Sequence, residues 1–221
     1  MVSPTDLDYK STKPLKNGKQ SLSKPYKDLA DWIQRKYEVR VLNIRYDKIK
    51  QNNRPRLNII LDETGDSVRF RTSDHLGNFD TKKQKAVWKE FEKILHTQNN
   101  EKFHTENLLV VFSDFETVAK YEANSKVTPR DITKLKQDLG LKNLWEVSQT
   151  EFGTVFFFFT EAQAQLYRRK EAYQILLERT FKMIKKYDEF DYFQLKSFEI
   201  RIDSEENFKK TYKSSWFNYY R

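Results

Sequence analysis

The longest runs of consecutive apolar residues in this sequence are only five residues long, at Leu108–Phe112 and Val155–Phe159. A helix that crosses a bilayer needs about 20 such residues, so no membrane span is expected. Short apolar runs bounded by polar segments are typical of strands that are buried inside a folded domain. One run lies in each half of the chain. The sequence therefore predicts a folded protein built around two buried strands.

The spacing of apolar residues around these runs predicts the same order of elements twice. In the first half it predicts a helix at 25–37, strands at 38–47, 56–62 and 67–72, a helix at 81–98, a strand at 107–112 and a short helix from Asp114. In the second half it predicts a helix at 129–139, strands at 143–148 and 154–160, a helix at 161–187, a strand at 197–202 and a helix from Glu205. The predicted fold class is α+β, with two similar helix–strands–helix–strand–helix units, each a mixed or antiparallel-rich sheet covered by helices.

These patterns place the two units at 25–126 and 127–221, with the alternative that they form one continuous domain. An ungapped shift of 90 residues aligns Phe91 with Phe181 and Glu116 with Glu206, which favours an internal duplication. Amphipathic elements of equal length also produce such matches. Residues 1–24 are rich in Lys, Ser, Pro and Asn, and Pro14 and Gly18 disfavour a helix there. A mobile basic arm is predicted, with an ordered arm packed on the body as the alternative.

Several classes of enzyme are excluded or disfavoured by residue types that are missing. The chain has no cysteine, which excludes disulfides, thiolate metal sites and a cysteine nucleophile. Its five glycines are too widely spaced for a phosphate-binding loop or a dinucleotide fingerprint, and it has no Gly-x-Ser-x-Gly segment. The histidines, His75, His96 and His104, form no metal-binding pair. No cofactor and no catalytic residues are expected, and because the first ten residues lack the order of a secretory signal, a cytoplasmic location is expected.

Two acidic clusters follow predicted strands, at Ser113–Glu116 and Asp203–Glu206. Their spacing is that of helix capping boxes, which we favour over a metal site. In the first half, the order helix, three strands, helix, strand resembles the core of PD-(D/E)xK nucleases. Asp62 matches the first acid that this resemblance implies, but the next strand reads Ser-Val-Arg-Phe-Arg and lacks the second acid and the lysine. The resemblance covers about 25–112 and rests on the order of elements alone; this pattern allows a degenerate relative that does not cut and disfavours an active nuclease. A divalent-metal phosphodiesterase built on Asp62, Glu63, Asp66 or the capping clusters is the third hypothesis.

Basic residues give the clearest functional signal. Lys and Arg number 41 against 32 Asp and Glu, a net charge of +9, and seven of the 13 arginines lie between Arg35 and Arg71. Arginine forks suit phosphate oxygens, so a sheet face carrying Arg56, Arg69 and Arg71 is a candidate polyanion surface. A second stripe is predicted on the helix at 161–187, and it contains Arg168, Arg179, Lys182 and Lys186. The alternative for both sets is an ordinary solvated face.

The last ten residues crowd aromatic side chains among polar and basic ones. The four that we single out are Trp216, Phe217, Tyr219 and Tyr220. They can stack on unpaired bases, anchor a protein partner or pack back on their own domain. From these patterns we expect a non-catalytic binding protein whose basic surface binds nucleic acid or another polyanion. The alternative is a protein-interaction or homo-oligomeric module that uses the aromatic residues near the C-terminus.

Overall fold

The computed structural model describes residues 3–73 and 77–221, so His75 lies outside the described residues. The chain divides into two compact units, and the division falls between Val118 and Ala119. The boundary predicted from the sequence, after residue 126, lies slightly later in the chain. We call the two parts unit 1 and unit 2 and describe each by itself.

Unit 1 is built on a three-stranded mixed sheet. Its helices are α1 (Leu7–Lys16), α2 (Tyr26–Tyr37) and α3 (Thr81–Thr97), and its strands are β1 (Val41–Lys48), β2 (Pro55–Leu61) and β3 (Leu109–Asp114). The sheet order is β1-β2-β3, with β1 antiparallel and β3 parallel to β2. Helix α3 lies in the connection between the two parallel strands, as such a connection requires. Helix α4 (Phe115–Ser125) follows β3 directly and contains the division between the units.

One face of this sheet and the helices α2 and α3 enclose the main hydrophobic core of unit 1. The side chains of Leu57, Ile59 and Leu61 alternate along β2 and are fully buried in this core. From α3, Val87 and Phe91 pack into the same cluster. The alternation along the strand and the spacing of four along the helix explain why the sequence predicts both elements.

Helix α1 lies against the sheet, with which it makes mainly polar contacts. Asp8 accepts a hydrogen bond from Asn58 at 2.5 Å and pairs with Arg45 at 2.8 Å, and Lys16 pairs with Asp62 at 2.7 Å. Tyr9 is fully buried and its ring stacks on Phe115 with centroids 4.9 Å apart. The expectation that Pro14 and Gly18 prevent a helix in the arm is therefore wrong, because α1 contains Pro14 and extends to Lys16. An ordered arm packed on the body was the alternative, and these contacts agree with it.

The third strand predicted at 67–72 is wrong, because Asp66–Phe70 forms a 3₁₀ helix. The carboxylate of Asp114 accepts hydrogen bonds from the backbone N–H groups of Gly65 and Ser67, at 3.2 and 2.9 Å, and from the Ser67 hydroxyl. These bonds turn the chain away from β2, so β3 pairs with β2 instead. Since the three-strand order is missing, the resemblance to the PD-(D/E)xK nuclease core has no structural basis in unit 1.

Unit 2 is built on a second three-stranded mixed sheet. Its helices are α5 (Pro129–Leu139), α6 (Glu161–Tyr167), α7 (Lys170–Ile184), α8 (Glu205–Tyr212) and α9 (Trp216–Tyr219), and its strands are β4 (Leu144–Thr150), β5 (Gly153–Phe158) and β6 (Arg201–Ser204). The order is β4-β5-β6, with β4 antiparallel and β6 parallel to β5. Phe156 and Phe158 face a core that α5 and α7 share, whereas Val155 and Phe157 pack with Phe208 on the other side. Strand β5 is therefore buried on both faces, as its sequence predicts.

The two sheets share an irregularity at the same place. In β1, the register with β2 shifts between Val41 and Asn43, and in β4 the register with β5 shifts between Leu144 and Glu146. In each case the first residue of the pair lies opposite the last residue of the central strand. A β-bulge at one corresponding position in both sheets fits a duplication.

A side-chain contact also recurs at corresponding positions. The carboxylate of Glu116 accepts a hydrogen bond from the backbone N–H of Thr64 at 2.7 Å, and that of Glu206 accepts one from Glu161 at 2.9 Å. Glu116 and Glu206 are each the second residue of the helix after the last strand of the sheet. They are also partners in the 90-residue shift. The predicted α+β class with two similar units is confirmed, and the two units fit an internal duplication.

Within residues 3–73 and 77–221, no helix combines the length and the apolar character that crossing a membrane requires.

Candidate nucleic-acid interface

The three arginines predicted to share a sheet face in unit 1 lie on different elements. Arg56, on β2, makes two hydrogen bonds to Asp47, from Nε at 2.9 Å and from Nη2 at 2.6 Å. Arg69 is exposed on the 3₁₀ helix, 3.8 Å from Asp66. Arg71 follows that helix and lies over the ring of Phe79. Asp47 pairs with the guanidinium of Arg56, and the predicted three-stranded face on which all three arginines lie is not formed.

The single long helix predicted at 161–187 is divided in two. Helix α6 ends before Arg168, and α7 begins after Arg169. Arg168 pairs with Glu161 and donates to the backbone carbonyl of Ile202 at 2.9 Å. The guanidinium of Arg168 holds the pKa of Glu161 below its usual range. Arg168 is thus committed to a local ion pair and lies between α6 and α7, before the helix that carries Arg179 and Lys182.

The remaining three members of that stripe come together with a fourth cation between α5 and α7. The two helices pack against each other and leave a cavity of about 160 Å³ between them, which we call the α5–α7 groove. Its lining residues are Asp131, Lys134, Leu135, Asp138, Arg179, Lys182, Met183 and Lys186. Leu135 and Met183 are buried and supply the apolar part of the lining. The other six residues are charged, four of them positively.

Most of the positive charge in the groove is not neutralised. Lys134, Arg179 and Lys182 are exposed, and their side chains make no hydrogen bond or ion pair to any residue that the structure describes. Lys186 lies 3.8 Å from Asp131, at the outer limit of an ion pair. Cations without partners keep their charge available to a ligand. The α5–α7 groove is therefore the candidate site.

Asp131 has a structural role at the start of α5. It forms a capping box with Thr128, in which the carboxylate accepts from the Thr128 backbone at 2.9 Å. It also accepts a hydrogen bond from the Tyr187 hydroxyl at 2.7 Å. Hydrogen bonds from Thr128, followed by that from Tyr187, lower the pKa of Asp131 to about 2. Asp138, by contrast, is exposed, and its carboxylate has no partner among the described residues.

Lys134 is the one positively charged residue of the groove that the sequence pattern did not predict as part of a site. Its helix was predicted correctly, since Thr128 precedes Pro129 and the helix ends at Gly140 with φ 60°. The packing of α5 on α7 brings Lys134 into the same groove as Arg179. A local sequence pattern does not show which helices pack together. The basic stripe on α7 was the only signal for the site.

The carboxylates of the two acidic clusters accept hydrogen bonds from other groups of the protein, as Asp114 does from Ser67 and Asp203 from Asn207. Among the described residues, no group of three or more His, Asp or Glu side chains is placed to hold a metal ion. Asp62 is buried and pairs with Lys16 and Arg40. The second predicted cap is displaced by one residue, because Ser204 rather than Asp203 accepts from the Asn207 backbone. At the first cluster, the Ser113 hydroxyl donates to Asn58 instead of closing a capping box.

The aromatic residues near the C-terminus pack within unit 2. The indole of Trp216 stacks on Trp145 with centroids 6.0 Å apart. The hydroxyl of Tyr219 donates to Asp203 at 2.8 Å, and burial together with this carboxylate raises the pKa of Tyr219. Tyr220 bonds to the Ser148 hydroxyl, whereas Phe217 is 71% exposed. Packing on its own unit, one of the three alternatives for this segment, describes Tyr219 and Tyr220. It describes Trp216 in part, since this side chain is 40% exposed, and it does not describe Phe217.

Comparison with protein-family models, curated proteins and solved structures finds no match to this chain.

Proposed function

We propose that this protein binds nucleic acid without catalysing a reaction, and that the α5–α7 groove of unit 2 contacts the phosphates. The observation that carries the proposal is the convergence of Lys134, Arg179 and Lys182, from two helices, on one groove without an acidic partner. The guanidinium of Arg179 can contact two phosphate oxygens at once, and the lysines add point charges. The net charge of +9 supports a polyanionic ligand.

Contacts of this kind make affinity depend on salt rather than on base sequence. Each phosphate that a cation neutralises releases condensed counterions, so the binding constant falls as the salt concentration rises. Contacts to phosphate oxygens carry no information about base sequence. The proposed binding is therefore similar for different sequences.

Replacing Lys134, Arg179 and Lys182 together with glutamine is expected to weaken binding and to flatten its dependence on salt. Three lost phosphate contacts lower the slope of log K against log salt by about 2 for single strands and about 3 for duplexes. The measurement is fluorescence anisotropy with labelled DNA of about 20 nucleotides, single-stranded or duplex, at several salt concentrations. Glutamine keeps the helix propensity of lysine and arginine, so the helices remain intact.

The matched control removes the same charge from elsewhere in unit 2. Lys142, Lys196 and Lys210 are exposed, and their side chains have no partner among the described residues. Their triple glutamine variant has the same net charge as the groove variant. The proposal requires the groove variant to lose clearly more affinity than this control. Equal losses would mean that only the overall charge matters, and absence of DNA binding by the parent protein at low salt would contradict the function itself.

Replacing Asp138 with asparagine is expected to strengthen binding. Removing a negative charge about 6 Å from a phosphate in water is worth about 0.7 kcal/mol, which is roughly a threefold gain in affinity at low salt. The Asp138 side chain holds no structural contact among the described residues, so the fold is unaffected. The same titrations measure the gain, and Glu178→Gln, an exposed acid of α7 that does not line the cavity, is the control. Unchanged or weaker binding by Asp138→Asn would place the ligand elsewhere.

A further inference from the structure

A row of lysines runs along α3 in unit 1. Lys82, Lys85, Lys89 and Lys93 are separated by three, four and four residues, and all four are exposed. At about 100° per residue they lie within about 80° of one another, over roughly 16 Å of helix. We call this set the α3 lysine stripe.

The stripe faces away from the core of unit 1. The buried residues of α3 are Val87, Phe91 and Leu95, which lie on the opposite side of the helix from the lysines. Asp80 caps the helix by accepting from the backbone N–H groups of Lys82 and Lys83. The cap and the buried face fix the orientation of the helix, so the lysines remain on the solvent side.

Acidic side chains neutralise little of this charge. Lys82, Lys85 and Lys89 have no side-chain partner among the described residues, and Lys93 lies 3.9 Å from Glu90. The other acid of α3, Glu92, accepts a hydrogen bond from Thr105. Elsewhere in unit 1, lysines at positions 16 and 27 each pair with an aspartate at 2.7 and 2.6 Å. What distinguishes the α3 lysine stripe is that its exposed lysines form one continuous row along a single helix.

We propose that the α3 lysine stripe is a second phosphate-binding surface, which contacts the backbone of the same nucleic acid that the α5–α7 groove binds. The proposal rests on the proposed function for the identity of the ligand. Adjacent lysines of the stripe are about one helical turn apart, so a single small phosphate reaches at most two of them. A chain of phosphates engages all four. The geometry thus favours a nucleic-acid backbone over a free phosphate or a nucleotide.

Two surfaces on one chain make binding depend on the length of the nucleic acid. Once one surface is bound, the second binds at a high effective concentration, provided that the strand is long enough to reach it. A strand too short to reach both engages one surface at a time. Affinity is therefore expected to rise sharply once the strand is long enough to reach both surfaces. This rise exceeds the gradual increase that comes from the larger number of binding positions on a longer strand.

The test replaces Lys82, Lys85 and Lys89 with glutamine in the full chain. With labelled single-stranded DNA of about 40 nucleotides, the slope of log K against log salt is expected to fall by about 2, and affinity by tenfold or more at low salt. When the stripe and groove substitutions are combined in one chain, the slope of log K against log salt is expected to fall by about 4. The control is the triple glutamine variant of Lys19, Lys50 and Lys102, which are exposed and whose side chains have no partner among the described residues of unit 1.

The outcomes separate the two proposals. If the stripe variant behaves as its control while the groove variant loses affinity, the second surface is wrong and the proposed function stands. If only the stripe variant loses affinity, the protein binds nucleic acid through unit 1 and the groove assignment is wrong. If neither variant differs from its control, both proposals fail. If the sharp rise with strand length survives in the stripe variant, the second contact comes from another surface and the stripe is overturned.

Discussion

Replacing Tyr9 with alanine is expected to destabilise unit 1 by about 3 to 5 kcal/mol, the range for removing a large aromatic ring from a core. Tyr9 is 0% exposed, and its ring stacks on Phe115. It is also the largest buried side chain of α1, whose other contacts with the sheet are polar. The variant therefore loses both a core ring and the main apolar anchor of the helix, which gives this change one of the largest effects in the chain.

Leu7→Ala is the matched control, because Leu7 lies on the same helix and is 66% exposed. Hydrogen exchange measured peptide by peptide separates the two units, and the loss in Tyr9→Ala is expected in β1 and β2 but not in β5. A change of 3 kcal/mol corresponds to more than 100-fold faster exchange where exchange requires unfolding of the unit. A loss below 1 kcal/mol would mean that α1 contributes little to the unit and behaves as the mobile arm that the sequence predicts.

The arm shows why local signals failed to predict α1. Pro14 lies in the last turn of the helix, where it removes a single backbone hydrogen bond, to the carbonyl of Lys10. That cost is offset by contacts with residues more than 30 positions away, such as Asp8 with Arg45 and Thr12 with Asn43. Residues 1–24 include none of these partners. A prediction from this segment alone therefore accounts for the cost of the proline but not for the contacts that stabilise the helix.

The predicted third strand failed for the same physical reason. The alternation of Val68 and Phe70 with arginines is typical of a strand, and Phe70 is indeed buried, stacked 3.9 Å from Phe112. Val68, however, is 61% exposed. Asp114, which lies 47 residues from Ser67, sets the conformation of this segment. A strand pattern two alternations long is weak evidence compared with three hydrogen bonds that one carboxylate accepts.

Two helices with clear apolar periodicity and the two buried strands were predicted well. The helix predicted at 81–98 is α3, the one at 129–139 is α5, and both buried strands are present. The sequence indicated a duplication only where the two units keep the same spacing. The shift of 90 residues aligns Glu116 with Glu206, whose hydrogen bonds correspond, but Leu61 and Phe158, the corresponding ends of the central strands, are 97 residues apart. Because the spacing between corresponding elements differs in the two units, an ungapped shift aligns only some of them.

The candidate site was predicted only in part because it needs two helices. Arg179, Lys182 and Lys186 belong to the stripe that the sequence predicts, and the structure keeps them together on α7 and the turn after it. Arg168 was included because a continuous helix would place it on the same face, and the break at Arg168 and Arg169 removes it. Helical periodicity thus finds the part of a site that one helix supplies. Lys134 requires knowledge of which helices pack together.

Replacing Phe157 with alanine is expected to destabilise unit 2 by about 3 to 5 kcal/mol. Phe157 is 0% exposed, and its ring lies 5.3 Å from Trp216 and 5.1 Å from Tyr219, between centroids. Its loss removes the surface on which α8 and α9 pack. Phe159→Ala, two residues along at a position that is 43% exposed, is the matched control with a much smaller expected loss.

The same variant decides between two roles for the aromatic residues near the C-terminus. If Trp216 and Tyr219 pack on the core of unit 2, Phe157→Ala lowers the unfolding midpoint in urea. It also exposes more of the Trp216 indole, which is already 40% exposed, and tryptophan fluorescence shifts in the absence of urea. Phe217→Ala changes stability by no more than about 0.5 kcal/mol, since its ring is 71% exposed. A small loss in Phe157→Ala would mean that α9 is held loosely, and its aromatic side chains would then be available to a partner. A large loss assigns them to the fold, because a ring that closes the core of its own unit is not free to anchor another protein.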